Sequence, residues 1–251
     1  MEKVRVEDCG AVRQIVLARA DKRNALDADM LIALTQAFTA TPGPDERVVV
    51  IRAEGPVFCA GLDLRARGGS RVGSASIEAM LRAIELYPLP VVAAVQGDAI
   101  AGGNELALHC DFVVASEAAR FGMSLAKIGL APSWFLAKKL LEVAGPVGAR
   151  EMLLLGDPLP AKRMAELGLI HACVSAAELD AAADAVAARL AANAPLSLKA
   201  MKALLVRAMT FRESIPHADI DALVAAAAGS ADAREGIAAM LERRAPKFEG
   251  R

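Results

Sequence analysis

The sequence predicts an α/β core followed by an all-helical C-terminal region, on three observations. Short β-branched runs alternate with helix-like segments through the first half of the chain, the pattern of a layered α/β fold. Past Pro132 the texture changes to helical segments separated by Gly or Pro. Hydrophobic residues make up 55% of the 251 residues and aromatics only 4%. The core is therefore built from Ala, Val, Leu and Ile, a composition that favours closely packed helices.

Val12–Leu17, Val48–Arg52, Val91–Val95 and Phe112–Ala115 are expected strands, each bounded by turn residues. Between the first two, Asp27–Thr39 carries an Asp start signal and apolar Met30, Leu31, Leu34 and Phe38 at helical spacing. Ser76–Leu86 is a second helix, stopped by Pro88 and Pro90. Beyond Pro132, segments 134–143, 147–155, 161–167, 177–192, 196–210 and 231–243 are expected helices, with Pro195 opening the run from Leu196. The expected organisation is a core over residues 1–194 and a helical region over 195–251.

Charge is nearly balanced at −1 and the basic residues are dispersed, which argues against a nucleic-acid surface. The four cysteines, Cys9, Cys59, Cys110 and Cys173, have no paired spacing, and the three histidines are far apart, so no metal set emerges. The first residues hold no apolar signal stretch, and no apolar segment of spanning length is free of charge. A soluble cytoplasmic protein without membrane or nucleic-acid partners is expected.

The run Gln96-Gly-Asp-Ala-Ile-Ala-Gly-Gly-Asn-Glu-Leu-Ala-Leu-His-Cys-Asp111 carries most of the functional information. Gly102 and Gly103 sit where the strand Val91–Val95 gives way to a helix expected from Asn104. The first N–H groups of a helix lack intrahelical partners and lie at the positive end of its dipole. Glycine lets a ligand oxygen approach that backbone closely. Glu105, a short step on, is a carboxylate able to move a proton beside a polarised carbonyl. A second run, Pro56-Val-Phe-Cys-Ala-Gly-Leu-Asp-Leu64, follows the Val48–Arg52 strand. Gly61 permits a sharp turn there that would leave the Leu62 N–H free. Two such donors, from Leu62 and Gly102, would complete an oxyanion hole if the loops meet.

These two runs, with Arg23-Asn-Ala-Leu26, the segment Ala119–Pro132, the Leu153–Ile170 region and the closing Glu242–Phe248 stretch, resemble the crotonase (enoyl-CoA hydratase/isomerase) family over essentially the whole chain. The resemblance implies a spiral of ββα turns, with C-terminal helices used in assembly as a homotrimer or homohexamer. It implies an acyl-CoA thioester substrate, with coenzyme A part of that substrate and no separate cofactor. The thioester oxygen is then held by the Leu62 and Gly102 amides, each donor contributing roughly 3–4 kcal/mol to transition-state stabilisation. Ala60, Asp63 and Leu64 correspond to backbone that meets the adenine, and Arg23 lies where a basic residue approaches the CoA phosphates. Gly103, Leu125 and Trp134 correspond to positions around the bound thioester. Arg243 or Lys247 would reach a neighbouring subunit's nucleotide, or be solvated surface charges.

One position departs from the family pattern. Hydratases of this family commonly use two glutamates, and where the second is expected the chain has Leu125. A leucine neither binds water nor passes a proton, so Glu105 acts alone or with another helper. Ser124 and Ser133 read better as turn or cap residues, and Lys127 as surface. His109, four residues after Glu105, either pairs with it on one helix face or packs against the core. Trp134 either shapes the acyl pocket or is a core aromatic. Cys59 and Cys110 have no base at recognisable spacing and read as structural.

The expected function is hydration of a 2-enoyl-CoA. The alternatives are an enoyl-CoA isomerase, which needs only one base, decarboxylation or thioester hydrolysis in the same pocket, and a non-catalytic acyl-CoA binder.

Overall fold

The computed structural model describes residues 2–64, 74–210 and 214–250. A hairpin of β1 (Val4–Cys9) and β2 (Val12–Leu17) opens the chain, with Val4 opposite Leu17 and Cys9 opposite Val12. Helix α1 (Ala28–Thr39) follows, and the Asp27 carboxylate caps it by accepting from the Met30 N–H at 3.1 Å. Then come β3 (Val48–Ala53), α2 (Ser74–Leu86), β4 (Val91–Val95), the two-residue β5 (Ala99–Ile100) and α3 (Gly102–Leu108). The core continues with β6 (Phe112–Ser116), β7 (Arg120–Gly122), α4 (Trp134–Arg150), β8 (Leu159–Pro160), α5 (Ala161–Glu166), β9 (Ala172–Val174) and α6 (Leu179–Ala191). The last helices are α7 (Pro195–Met209), α8 (Ala218–Gly229) and α9 (Ala231–Glu242).

The main sheet runs β1-β2-β3-β4-β6-β9, parallel after the first hairpin, and β5-β7-β8 form a small second sheet. A sheet with both faces covered needs strands that are apolar throughout. That is why Val48–Ile51 and Val91–Val95 read as continuous hydrophobic runs. Val49, Ile51, Ala93 and Val95 face the main core with α1 to α4, while Val48, Val50, Val92 and Ala94 pack on Leu179, Ala183, Ala187 and Leu190 of α6. Strand β1 had no apolar signal because it lies at the sheet edge, where of its six residues only Val4 is buried.

Two expected helices, 134–143 and 147–155, meet at a break. Gly145 has φ 62° and ψ 178°, and Pro146 cannot supply the N–H that would bridge it. The C-terminal helices are tied to the core. Buried Lys202 on α7 donates to Asp111 Oδ2 at 2.6 Å and to the Leu89 carbonyl at 3.1 Å. Gly236 on α9 lies so close to Ile128 that a Cβ there would meet its backbone at about 2.5 Å. No described helix is long and apolar enough to cross a membrane.

Candidate active site

The two glycine loops meet. Cys59 pairs with Ala99 as an isolated parallel bridge, with the Ile100 N–H donating to the Cys59 carbonyl at 2.9 Å and the Cys59 N–H to the Asp98 carbonyl at 3.2 Å. Gly61 has φ +87°, and a Cβ on it would lie 2.9 Å from the Ile100 carbonyl oxygen and 3.1 Å from the Gly102 nitrogen. A Cβ on Gly102 would in turn lie 3.5 Å from the Leu62 nitrogen.

The Arg23–Leu26 segment explains why the Leu62 amide is spared. Leu26 and Leu62 form a parallel bridge in which the Leu26 N–H donates to the Gly61 carbonyl at 2.8 Å and the Asp63 N–H to the Leu26 carbonyl at 2.9 Å. A parallel bridge uses the atoms on either side of a residue, so the N–H of Leu62 itself stays outside the ladder. The segment is anchored by Asn24, fully buried, whose amide donates to the Glu54 and Val57 carbonyls at 2.9 Å each.

Gly102 is the first residue of α3, so its N–H has no intrahelical acceptor. Among the described residues, neither the Leu62 nor the Gly102 amide donates to another main-chain group outside regular helices and strands. Ala101, just before, holds φ 49° and ψ −116°, a conformation costly for a residue with a side chain. It is clamped by its N–H to the Gly122 carbonyl at 2.7 Å and by its carbonyl, which accepts from Glu105 at 3.0 Å. The helix thus begins two residues earlier than its apolar pattern suggested, because glycines give no apolar signal.

Glu105 is completely buried, and neither carboxylate oxygen has a well-formed hydrogen bond. Burial pushes its pKa up to about 8, against the opposing pull of the Lys139 charge. His109 Nδ1 lies 2.8 Å from the Glu105 carbonyl oxygen and 3.6 Å from Oε2. Its ring stacks on Phe135, centroids 5.3 Å apart. Burial, aided by Lys139, lowers the His109 pKa to about 3, so the ring stays neutral. The two side chains share a helix face, but His109 is no imidazolium partner at neutral pH. Behind them, Lys139 Nζ on α4 and Glu85 Oε1 on α2 form a buried ion pair at 2.8 Å.

The other expected site residues are placed as follows. The Arg23 carbonyl accepts from the Ala60 N–H at 3.1 Å, so these two are neighbours. The Asp63 carboxylate is held by Arg19 at 2.9 Å, and Leu64 follows at a turn, half-buried. Gly103 is a packing glycine, since a Cβ there would sit 2.1 Å from the Cys59 carbonyl oxygen. Leu125 is half-buried in a short 3-10 helix, Ser124–Ile128, packed against the core. Ser124 donates to the Gly156 carbonyl, Ser133 caps α4, and exposed Lys127 pairs with Asp157, so each has a structural partner of its own.

Trp134 is not a core aromatic. It stacks on His217 with ring centroids 4.9 Å apart and lines a cavity of about 530 Å³ with Glu78, Arg82, Phe135 and Lys138. Cys59 and Cys110 are buried, and burial raises both thiols, Cys59 to about 12. Among the described residues no group of three His, Cys, Asp or Glu side chains could hold a metal. The sequence did not point to Glu85, Lys139 or His217. A lysine next to Lys138 in a mostly apolar helix was the one available signal for Lys139.

A profile of the enoyl-CoA hydratase/isomerase family matches residues 7–251. Enoyl-CoA hydratase EchA19 of Mycobacterium tuberculosis is 34% identical over 261 residues, covering 98% of this chain and 96% of that one. A carnitinyl-CoA hydratase structure from Mycobacterium avium superposes with TM-score 0.87 at 32% identity, covering both chains fully. A methylmalonyl-CoA decarboxylase complexed with 2S-carboxypropyl CoA superposes with TM-score 0.92 at 25% identity, over 100% of this chain and 99% of that one.

Proposed function

This chain belongs to the enoyl-CoA hydratase/isomerase family, and we propose that within it the protein hydrates a 2-enoyl-CoA thioester. The observation that carries this reading is the meeting of two unspent main-chain amides beside one buried carboxylate. The thioester oxygen sits between the Leu62 and Gly102 N–H groups. As water attacks Cβ, Glu105 takes its proton and electron density moves through Cα to that oxygen. The amides stabilise the enolate charge without reorganising. Glu105 then gives the same proton to Cα, so the elements of one water are added and the carboxylate is regenerated.

A raised pKa makes Glu105 a stronger base when ionised and a ready acid when protonated, as a residue with both duties requires. The CoA moiety lies along Ala60, Asp63 and Leu64, with Arg23 near its phosphates and Gly103, Leu125 and Trp134 around the acyl end. No further cofactor is needed. The active assembly is a homotrimer or homohexamer. Exposed Leu154, Leu155, Leu196, Leu204 and Leu223, each more than 60% accessible, support an assembly that covers them.

Leu125 favours one second reading, the double-bond isomerase, for which a lone carboxylate suffices to remove and return a proton. Assays of the parent protein and Glu105→Ala with crotonyl-CoA and a 3-enoyl-CoA decide between them. Hydration of crotonyl-CoA that disappears in the variant is expected. A bond shift without hydration would replace the first reading with the second, and tight acyl-CoA binding without turnover would overturn both.

A further inference from the structure

We infer that His109 and the buried Glu85–Lys139 pair are positioning residues that hold Glu105 in its working ionisation state, a role that rests on Glu105 being the base. A buried ion pair is weak evidence for stability, because its desolvation cost rivals its attraction and an apolar pair of similar volume often serves as well. Glu85 and Lys139 bridge α2 and α4 on the wall of a cavity of about 490 Å³ that His109 also lines, with side chains only 8% and 10% exposed. They therefore need another account, and their position supplies one.

The Glu105 carboxylate makes no well-formed hydrogen bond, with only the neighbouring Asn104 side chain close enough to favour its ionised form, and Leu125 stands where the family resemblance implies a second acid. Of the charges around it, Lys139 acts on both Glu105 and His109. It favours the ionised carboxylate and, by the same positive field, disfavours a proton on the imidazole. A neutral His109 with its Nδ1 2.8 Å from the Glu105 carbonyl oxygen carries its hydrogen on that nitrogen. The same nitrogen lies 3.6 Å from Oε2, so its N–H, donated to the carbonyl, also points its positive end towards the ionised carboxylate.

Of the other groups facing this region, Asp111 and Lys202 line the same cavity and pair with each other at 2.6 Å, and His171 beside them packs edge-on against Phe112. Arg82 on α2 and Lys138 on α4 lie over the Phe135 ring, 5.2 and 5.7 Å from its centroid, and Glu142 is 3.7 Å from Lys138. Cys59 and Cys110 are neutral thiols. Glu85 is kept ionised because the charge and hydrogen bond of Lys139 outweigh the effect of burial, which alone would raise it. Lys139 supplies the positive field at Glu105, and Glu85, 2.8 Å from that ammonium, opposes the same field at His109.

The two members of the pair then act with opposite signs, which packing alone does not do. In pH profiles of kcat/KM, Lys139→Met is expected to move the alkaline-rising limb upward by roughly one pH unit, and Glu85→Gln to move it downward by less. Lys139→Arg restores the parent limb, and His109→Phe moves it upward. Limbs that coincide with the parent, or that move the same way in Lys139→Met and Glu85→Gln, overturn the inference. Glu105→Gln separates the two levels. If it turns over like the parent, the assignment of the base fails. If it is inactive while all limbs coincide, the base stands and the network fails.

Discussion

The two sides of the candidate site are built from different materials. On one side the Leu62 and Gly102 donors are main chain, aimed by Gly61, Ala101 and the Leu26 bridge. On the other a single carboxylate is set by side chains arriving from three directions, Glu85 on α2, His109 at the C-cap of α3 and Lys139 on α4. The amide side depends on where the backbone can go and is indifferent to the side chain at position 62. The carboxylate side depends on the identity of every neighbour. Substitutions should therefore behave oppositely on the two sides.

The largest effect is expected on the carboxylate side. Glu105→Gln keeps shape and burial but removes proton transfer, and kcat/KM for hydration should fall by about 10²–10⁴. A fall below tenfold would mean that another group handles the proton. On the amide side, Gly61→Ala places a Cβ 2.9 Å from a carbonyl oxygen at φ +87° and should cost about 10²–10³ in kcat, the loss associated with one oxyanion donor. Gly102→Ala is the sharper comparison, since its nearest obstacle is the Ile77 Cδ1 methyl at 2.8 Å. That methyl is the free end of a side chain and can shift, so this variant should retain more activity than Gly61→Ala. Equal losses would show that the amide itself, rather than the loop contact, is being displaced.

A stability measurement tests the carboxylate side without substrate. The Glu105 pKa is raised from 4.5 to about 8 in the folded protein. Between those values the folded state keeps a proton that the unfolded state has released, so the contribution of Glu105 to stability declines as pH rises through that window. Glu105→Gln should thus raise Tm increasingly from pH 5 to pH 9, by several degrees, at about 2–4 °C per kcal/mol. A constant Tm difference across that range would contradict the buried, raised carboxylate. The smallest effect is expected for Leu62→Ala, which leaves its N–H in place, with kcat within about threefold of the parent on this main-chain account.

The same contrast governs what was legible in the sequence. The amide side was readable because its constraints fall on residues with special backbones: Gly61, Gly102 and Gly103 announce turns and close approaches that no other residue allows. The buried parallel strands were readable from their continuous Val and Ala runs, and α1 from its Asp27 cap. Short β5, β7 and β8 were not, since two or three residues carry no periodicity. Ala101 at positive φ was invisible, because alanine gives no hint of strain. The Glu85–Lys139 pair was hidden for a different reason: its partners are 54 positions apart, and each alone resembles a solvated helix charge.

A crystal structure of the protein with an acyl-CoA analogue that mimics the enolate is the most direct measurement. The thioester oxygen should lie within hydrogen-bond reach of both the Leu62 and Gly102 nitrogens, with the Glu105 carboxylate against Cα and Cβ. An oxygen bound away from either amide, or a Glu105 carboxylate turned from those carbons, would contradict the account.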